Sequence, residues 1–422
     1  MSAITKIVIL AVCAAICASQ PVDKLPILKE LPSSEIGIGT PEQEITIECA
    51  TVDKDPNVKY SWLKDGKPYT PHANVVKRVD EGTLIFKKPD RSDEGQYQCL
   101  AQTEYGVAST RVITLKKRFM DPPNFTLKKH KPIEGKPYKL DCTIPRSYPE
   151  PEITWFRKSL TDANDNKPVF GQRLTISDQG DLYFSNVTKE DAKPGYKYVC
   201  YGKAPDSGEI VELAEHILED VLPNKEPINN DVIEQYVTNE KTVKAGDSTY
   251  LYCIYGGNPL AHPDWFKDGK NVNNGPKDRV TRHNKSVGKR LVIKDVWVSD
   301  EGEYTCVVDN EVGKSQKHTM HLHVVSAPQF LKKGQPKLIV KSGQDFTIPC
   351  EAAGVPAPEL SWSLNAQRLP SERAALEPQS RGNSSSAELR VRRARESDAG
   401  YYGCRATNDH GDVYSETLVS VQ

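Results

Sequence analysis

The sequence predicts an all-β chain made of four β-sandwich domains in tandem, each closed by its own disulfide. Three observations predict it. Eight cysteines fall into consecutive pairs 50, 58, 53 and 54 residues apart. A tryptophan follows the first cysteine of each pair by 12 or 13 residues: Trp62, Trp155, Trp265 and Trp362. A tyrosine stands two residues before each second cysteine: Tyr97, Tyr198, Tyr304 and Tyr402. Such internal similarity marks a repeated architecture. It outweighs the length of 422 residues, which by itself points to about three domains.

Each regularity has a physical cause. Two sheets of a sandwich pack roughly 10 Å apart, and a disulfide can cross that gap with an indole against it. The spacing selects Cys49–Cys99, Cys142–Cys200, Cys253–Cys306 and Cys350–Cys404. Each bridge closes a loop of about 50 residues and stabilises by roughly 4 kcal/mol in the chain-entropy view, a large share for a small core. The tyrosine predicts a buried ring whose hydroxyl caps backbone groups at a strand corner, as in immunoglobulin-like domains. Three repeats carry the fuller corner Asp-x-Gly-x-Tyr-x-Cys, from Asp93, Asp300 and Asp398. Gly106, Gly208, Gly313 and Gly411 follow the second cysteines by seven or eight residues, where a hairpin needs positive φ. Alternation supports strands around these anchors. Tyr97, Cys99 and Ala101 share one face, Tyr304, Cys306 and Val308 another. The pairs Leu84/Phe86, Leu182/Phe184, Leu291/Ile293 and Leu389/Val391 have the same period of two.

Residues 1–19 read as a signal peptide: Lys6, then the apolar run 7–18, then the small Ala18 and Ser19. Twelve apolar residues are too few to span a bilayer. Secretion supplies the oxidising compartment in which disulfides persist. The signal peptide removes Cys13 and Cys17 from the ten cysteines and leaves eight. No later run suits a membrane span, so the expectation is a released, extracellular protein. The domains are expected at 20–118, 119–222, 234–326 and 327–422, with a linker at 223–233. The joints near Phe119 and Ser326 read as short. The stretch 222–232 is polar, with two prolines and three asparagines, and serves either as a bend or as a spacer in a rod. The second domain departs most from the repeat. Its corner, Asp191 to Tyr198, is longer than the others, and an insertion at 161–171 extends a loop.

The net charge of −1 gives no global field to recruit nucleic acid, so a charged partner needs a local patch. Enzymatic readings fail on inventory. Paired cysteines leave no nucleophilic thiol, and no nucleophile elbow, zinc-protease motif or phosphate loop appears. No cofactor is implied. His321 and His323 share a strand face near His318 and could hold a metal, but no carboxylate or thiolate accompanies them, which favours plain exposed positions. Four Asn-x-Ser/Thr sequons, at Asn124, Asn186, Asn284 and Asn383, are candidate glycosylation sites. Asn383 lies in a polar loop and Asn186 in a turn, both expected to be exposed.

The stretches Trp62-Leu-Lys-Asp-Gly66, Trp265-Phe-Lys-Asp-Gly269, Pro149-Glu-Pro-Glu-Ile-Thr-Trp155 and Gly354-Val-Pro-Ala-Pro358 resemble the I-type domains of neural adhesion molecules such as neuroglian and the contactins. Four such domains behind a signal peptide, with no anchor, resemble the hemolins, immune-induced haemolymph proteins of moths. That resemblance implies a horseshoe, with the first domain packed near the fourth and the second near the third. It also implies binding to bacterial lipopolysaccharide and lipoteichoic acid, contact with haemocyte surface proteins, and self-association. The Lys-Asp-Gly turn is absent from the second and fourth domains, so no role for it extends to all four.

A protein that grips phosphorylated glycolipid needs clustered Lys and Arg near apolar surface. Three clusters qualify: Lys116, Lys117 and Arg118; Lys128, Lys129 and Lys131 around His130; and Arg390 and Arg392, with Arg393 and Arg395 beside them; the first two, close in sequence and straddling a joint, rank highest. Arg390 and Arg392 share a strand face opposite Leu389 and Val391. The opposing reading of each cluster is a solvated face with its own acidic neighbours. Two other functions compete with microbial recognition. One is adhesion regulation through protein contacts between sandwich faces. The other is a structural muscle or matrix fragment, against which the signal peptide argues.

Overall fold

The computed structural model describes residues 27–29, 35–40, 43–52, 57–226, 230–273, 279–369 and 374–422. The signal segment 1–19 lies outside the described residues, as do 227–229 of the expected linker. The regular structure of the described chain is almost entirely β, in four two-sheet sandwiches.

In the first sandwich one sheet runs Glu35–Ile38, Ile113–Lys117, Gly95–Thr103, Lys59–Lys64 and Lys67–Tyr69. The other runs Ile45–Ile47, Leu84–Phe86 and Val75–Lys77. Glu35–Ile38 pairs parallel to Ile113–Lys117, in register Glu35 with Thr114. The second sandwich repeats this plan, with Lys128–His130 parallel to Ile210–Leu218. In the third, Glu240–Lys244 takes the same parallel place beside the long strand Gln316–Lys332. In the fourth, Lys337–Val340 takes it beside Gly411–Val421.

The disulfides Cys49–Cys99, Cys142–Cys200, Cys253–Cys306 and Cys350–Cys404 each cross a core. Trp62, Trp155, Trp265 and Trp362 belong to those same cores. The register explains the sequence spacing, since each tryptophan sits directly opposite the second cysteine of its pair across two strands. In the first three domains the indole donates to a glycine carbonyl, Gly82, Gly180 or Gly288, at 2.6–2.7 Å.

The tyrosine corners are equally regular. Tyr97, Tyr304 and Tyr402 donate to the carbonyls of Asp93, Asp300 and Asp398 at 2.9, 3.0 and 2.8 Å. Tyr198 reaches Asp191 at 3.0 Å despite its longer corner. Burial pushes these tyrosine hydroxyls up in the first three domains. The aspartate side chains hold the turn itself. Asp300 accepts the Trp297 N–H at 2.8 Å and both Arg279 guanidinium nitrogens at 2.6 and 2.8 Å.

The third and fourth sandwiches have no linker between them. Strand Gln316–Lys332 pairs with Gly302–Val308 at one end and with Glu351–Val355 at the other. Ser326, expected at a short joint, therefore lies within a continuous strand.

The four sandwiches bend into a horseshoe, because the first contacts the fourth and the second contacts the third. Val58, Ala101 and Ala108 pack against Tyr401 and Leu418. Tyr183 packs with Tyr252 and Ile254, flanked by Tyr236. Gly106 shows how close the first approach is. Its φ is +136° and a Cβ there would lie 2.0 Å from Asn365 Oδ1, which accepts the neighbouring Val107 N–H at 3.2 Å.

The corners carry a testable cost. Tyr304→Phe leaves the buried Asp300 carbonyl without its hydroxyl donor, a loss of about 1–3 kcal/mol. Hydrogen exchange should show it as faster opening of strand Gly302–Val308, with the first domain's exchange unchanged.

Candidate interaction surfaces

The three basic clusters meet different fates. In the first, Lys116 lies over the Tyr148 ring, 3.6 Å from its centroid. The Lys117 amine donates to the Gly39 carbonyl, and Arg118 covers Gly37, where a Cβ would lie 2.1 Å from its Nε. Tyr148 in turn donates to Glu35 at 2.6 Å, and that bond pushes its hydroxyl up to about 12. Lys116 thus reaches across the joint to the second domain, while Lys117 and Arg118 close on the first domain's own backbone, and Lys116 and Arg118 keep exposed surface.

In the second cluster every lysine faces a carboxylate. Lys128 pairs with Asp141, while Lys129 and Lys131 share Glu219 at 2.9 and 3.7 Å. The Lys128 and Lys129 hydrogen bonds hold Asp141 and Glu219 below the usual carboxylate range. The result is a mixed-charge face. Exposed pairs of this kind are screened by solvent and contribute little to stability.

The third cluster is the least compensated. Leu389 and Val391 enter the fourth core while Arg390 and Arg392 stay exposed. Among the described residues neither arginine has a carboxylate within ion-pair distance. Arg393 sits at φ +48° with its N–H on Asp345 at 2.9 Å, which turns the chain after the strand.

His130 belongs to a half-buried chain, ending on the buried His216, that spacing did not reveal. The Asp141 carbonyl only accepts, so His216 Nε2 carries the proton it receives, at 2.9 Å. His216 Nδ1 must then accept from His130 Nε2 at 2.9 Å, and His130 Nδ1 from the Tyr138 hydroxyl at 2.9 Å. Burial holds both imidazoles below their usual value, and the chain locks strand Lys128–His130 to its sheet. His318 donates to the Thr238 carbonyl at 2.9 Å, while His321 and His323 stack face to face. Among the described residues no group of three metal-ligating side chains forms.

The sequons divide. Asn124, Asn284 and Asn383 are exposed. Asn186 is not, contrary to the expectation from its turn. It is 6% exposed, and its Nδ2 donates to the Gly257 carbonyl of the third domain at 2.9 Å. The turn faces solvent in an isolated sandwich, but the third domain covers it.

A cleft of about 280 Å³ opens between the first and fourth domains, with Arg111, Phe330, Tyr401 and Glu416 in its walls. Glu416 accepts the Ser109 N–H at 2.9 Å, the Ser109 hydroxyl at 3.0 Å and the Tyr414 hydroxyl. Burial pushes its carboxyl up to about 7. Lys29, Arg111 and Lys333 stand around the cleft, and Arg111 spends its Nη2 on the Asp412 carbonyl at 2.6 Å. Sequence reading missed Glu416. The available signal was its place between Tyr414 and Leu418 on one face of a strand.

The pH consequence follows by sign. A carboxyl raised in the closed form binds its proton more tightly there than in the open form. Its contribution to closure is fully present below about 4.5 and is lost as pH rises through about 7. Small-angle scattering from pH 5 to 8 should show the wild-type horseshoe loosening. Glu416→Gln keeps an acceptor for Ser109 and should remain compact, with this loosening at rising pH gone. The difference is on the order of 2 kcal/mol. A wild-type profile that is flat across that range would refute the coupling.

No helix among the described residues is long and apolar enough to cross a membrane. Residues 232–324 and 328–421 match the immunoglobulin I-set domain, and 26–103 and 122–202 a second immunoglobulin domain family. Hemolin of Manduca sexta is 44% identical over 417 residues, 98% of this chain and 98% of that protein. Neuroglian of Drosophila melanogaster is 33% identical over 89% of this chain but only 29% of its own length. A crystal structure of the insect immune protein hemolin, whose domain arrangement is described as bearing on homophilic adhesion, is 45% identical. It covers 94% of this chain and 100% of its own with a TM-score of 0.83. These are non-catalytic immunoglobulin-fold proteins, and by full-length identity and domain matches alike the chain belongs to the hemolin family.

Proposed function

We propose that this chain is a secreted recognition protein of insect immunity, released into haemolymph. There it binds the phosphorylated glycolipids of bacterial surfaces, lipopolysaccharide and lipoteichoic acid, and modulates haemocyte adhesion and aggregation. The observation that carries the reading is identity to hemolin along nearly the whole chain. The exposed Arg390 and Arg392 stripe supports it, since two guanidinium groups on one face, without a carboxylate partner among the described residues, can grip a phosphate. The Lys128 to Lys131 cluster is a weaker candidate, because a phosphate there competes with Asp141 and Glu219. Lys116, Lys117 and Arg118 are weaker again for a different reason, Lys116 being spent on the joint between domains and Lys117 on the first domain's own backbone.

A second reading has its own support. The faces that hold the horseshoe closed have complementary partners on the same chain, and the same partners exist on another copy. Adhesion regulation by self-association therefore stands as the alternative, with haemocyte surface proteins as further partners.

Calorimetric titration with lipopolysaccharide and with its dephosphorylated form, at low and moderate salt, separates the two. Microbial recognition through arginines predicts saturable binding that weakens with salt and with dephosphorylation. Arg390→Ala with Arg392→Ala should weaken it about tenfold, a charge-assisted bond or two. Substituting Lys128, Lys129 and Lys131 should change it little. Absence of heat with intact glycolipid, together with self-association that salt does not disturb, would favour the adhesion reading.

A further inference from the structure

We propose that an N-linked glycan on Asn186 and the docked second and third domains exclude one another, so that modification at this sequon commits the chain to an open form. Asn186, Val187 and Thr188 form a complete acceptor sequence. The atom that receives the sugar is Nδ2. In the closed structure that atom donates to the Gly257 carbonyl at 2.9 Å, and the Gly257 N–H returns a bond to the Ser185 carbonyl at 2.9 Å. The two backbones are in direct contact here. A single Cβ on Gly256 would lie 2.3 Å from Pro137 Cγ and 2.6 Å from the Ser185 carbonyl. A contact that rejects a methyl group has no room for a sugar residue.

The chemistry is an ordinary group transfer. Nδ2 forms a bond to the anomeric carbon of a lipid-linked oligosaccharide, the lipid pyrophosphate leaves, and Nδ2 gives up one of its two protons. The remaining N–H could still point at Gly257, but the sugar stands where the third domain must lie. The rest of the contact would be uncovered by the same wedge. It includes the Tyr183, Tyr236, Tyr252 and Ile254 cluster, the Gln235 amide bond to the Phe184 carbonyl at 3.0 Å, and the Lys289 amine bond to the Gln172 carbonyl at 2.6 Å. The sequon backbone itself stays with the second domain, where the Val187 N–H is held by the Lys136 carbonyl at 3.0 Å. Opening therefore needs no unfolding of the acceptor turn.

The inference rests on the secretory reading, and the test tells their failures apart. The full chain with its own leader is secreted from insect cells, and compact and extended fractions are separated by size exclusion with small-angle scattering. Glycopeptide mass spectrometry then reads occupancy at each sequon. The expected result is glycan on Asn186 confined to extended chains, with Asn186→Gln removing the wild-type extended fraction. Gly256→Arg opens the contact without positive-φ strain in its own strand. It should deplete the compact fraction and raise Asn186 occupancy. Glycan on Asn186 in compact chains overturns the proposal. So does an extended Gly256→Arg variant modified at Asn124, Asn284 or Asn383 but bare at Asn186. Chains retained inside the cells and bare at all four sequons overturn the secretory reading along with it.

Discussion

The disulfide that joins the two sheets of each sandwich, with an indole packed against it, fixes the distance between those sheets. Sandwiches of this size bury too little apolar surface to hold that spacing comfortably by packing alone. The covalent tie settles it and leaves the outer faces of the strands free to be used. Tyr401 and Leu418 face the first domain while Tyr402 and Val419, their neighbours in sequence, face the fourth core. The period of two along a strand thus assigns alternate residues to fold and to assembly.

Assembly then follows from which joints can bend. The third and fourth sandwiches share one strand, Gln316–Lys332, and form a stiff pair. The first and second are pinned by the pairing of Phe119–Met120 with Ser147–Tyr148 and by Lys116 over Tyr148. Across the junction of the second and third domains the two pairs fold back on each other. One reversal there makes both contacts at once, so the first–fourth and second–third faces support each other. Either face alone leaves the other tethered at a high effective concentration.

The sandwiches were legible in the sequence because their determinants are short-range or periodic. Cys49, Trp62, Tyr97 and Cys99 recur with similar offsets, and the Trp62–Cys99 relation reflects strand register. Arg390 and Arg392 were legible for the same reason, as alternation placed them opposite a buried pair. What escaped was long-range. Asp141 and Glu219 neutralise the Lys128 to Lys131 cluster from other strands, and nothing in the local run announces them. Asn186 read as exposed because a turn at the end of a sandwich is exposed until another domain covers it. Glu416 was hidden by the same logic, since its partner Ser109 lies 307 residues away. The continuous strand through Ser326 escaped because a boundary between similar domains leaves no mark when pairing simply passes from one to the next.

Both contacts also bury an ionisable group, and the two groups answer pH in opposite senses. Burial pushes Glu416 up to about 7 and pulls Lys289 down to about 8. Glu416 favours closure when protonated, so its contribution fades as pH rises. Among the described residues the Lys289 amine meets the Gln172 and Ser286 carbonyls, at 2.6 and 3.5 Å. It favours burial when neutral, so its contribution fades as pH falls from its ordinary range through about 8. Near neutral pH neither contact is at its strongest. An apolar pair at either place would hold the horseshoe more firmly. A closed form held below its attainable strength is one that modest forces can shift, whether a proton, a bound glycolipid, a second copy or a covalent wedge. A few kcal/mol of differential interaction is enough to move such an equilibrium from one form to the other.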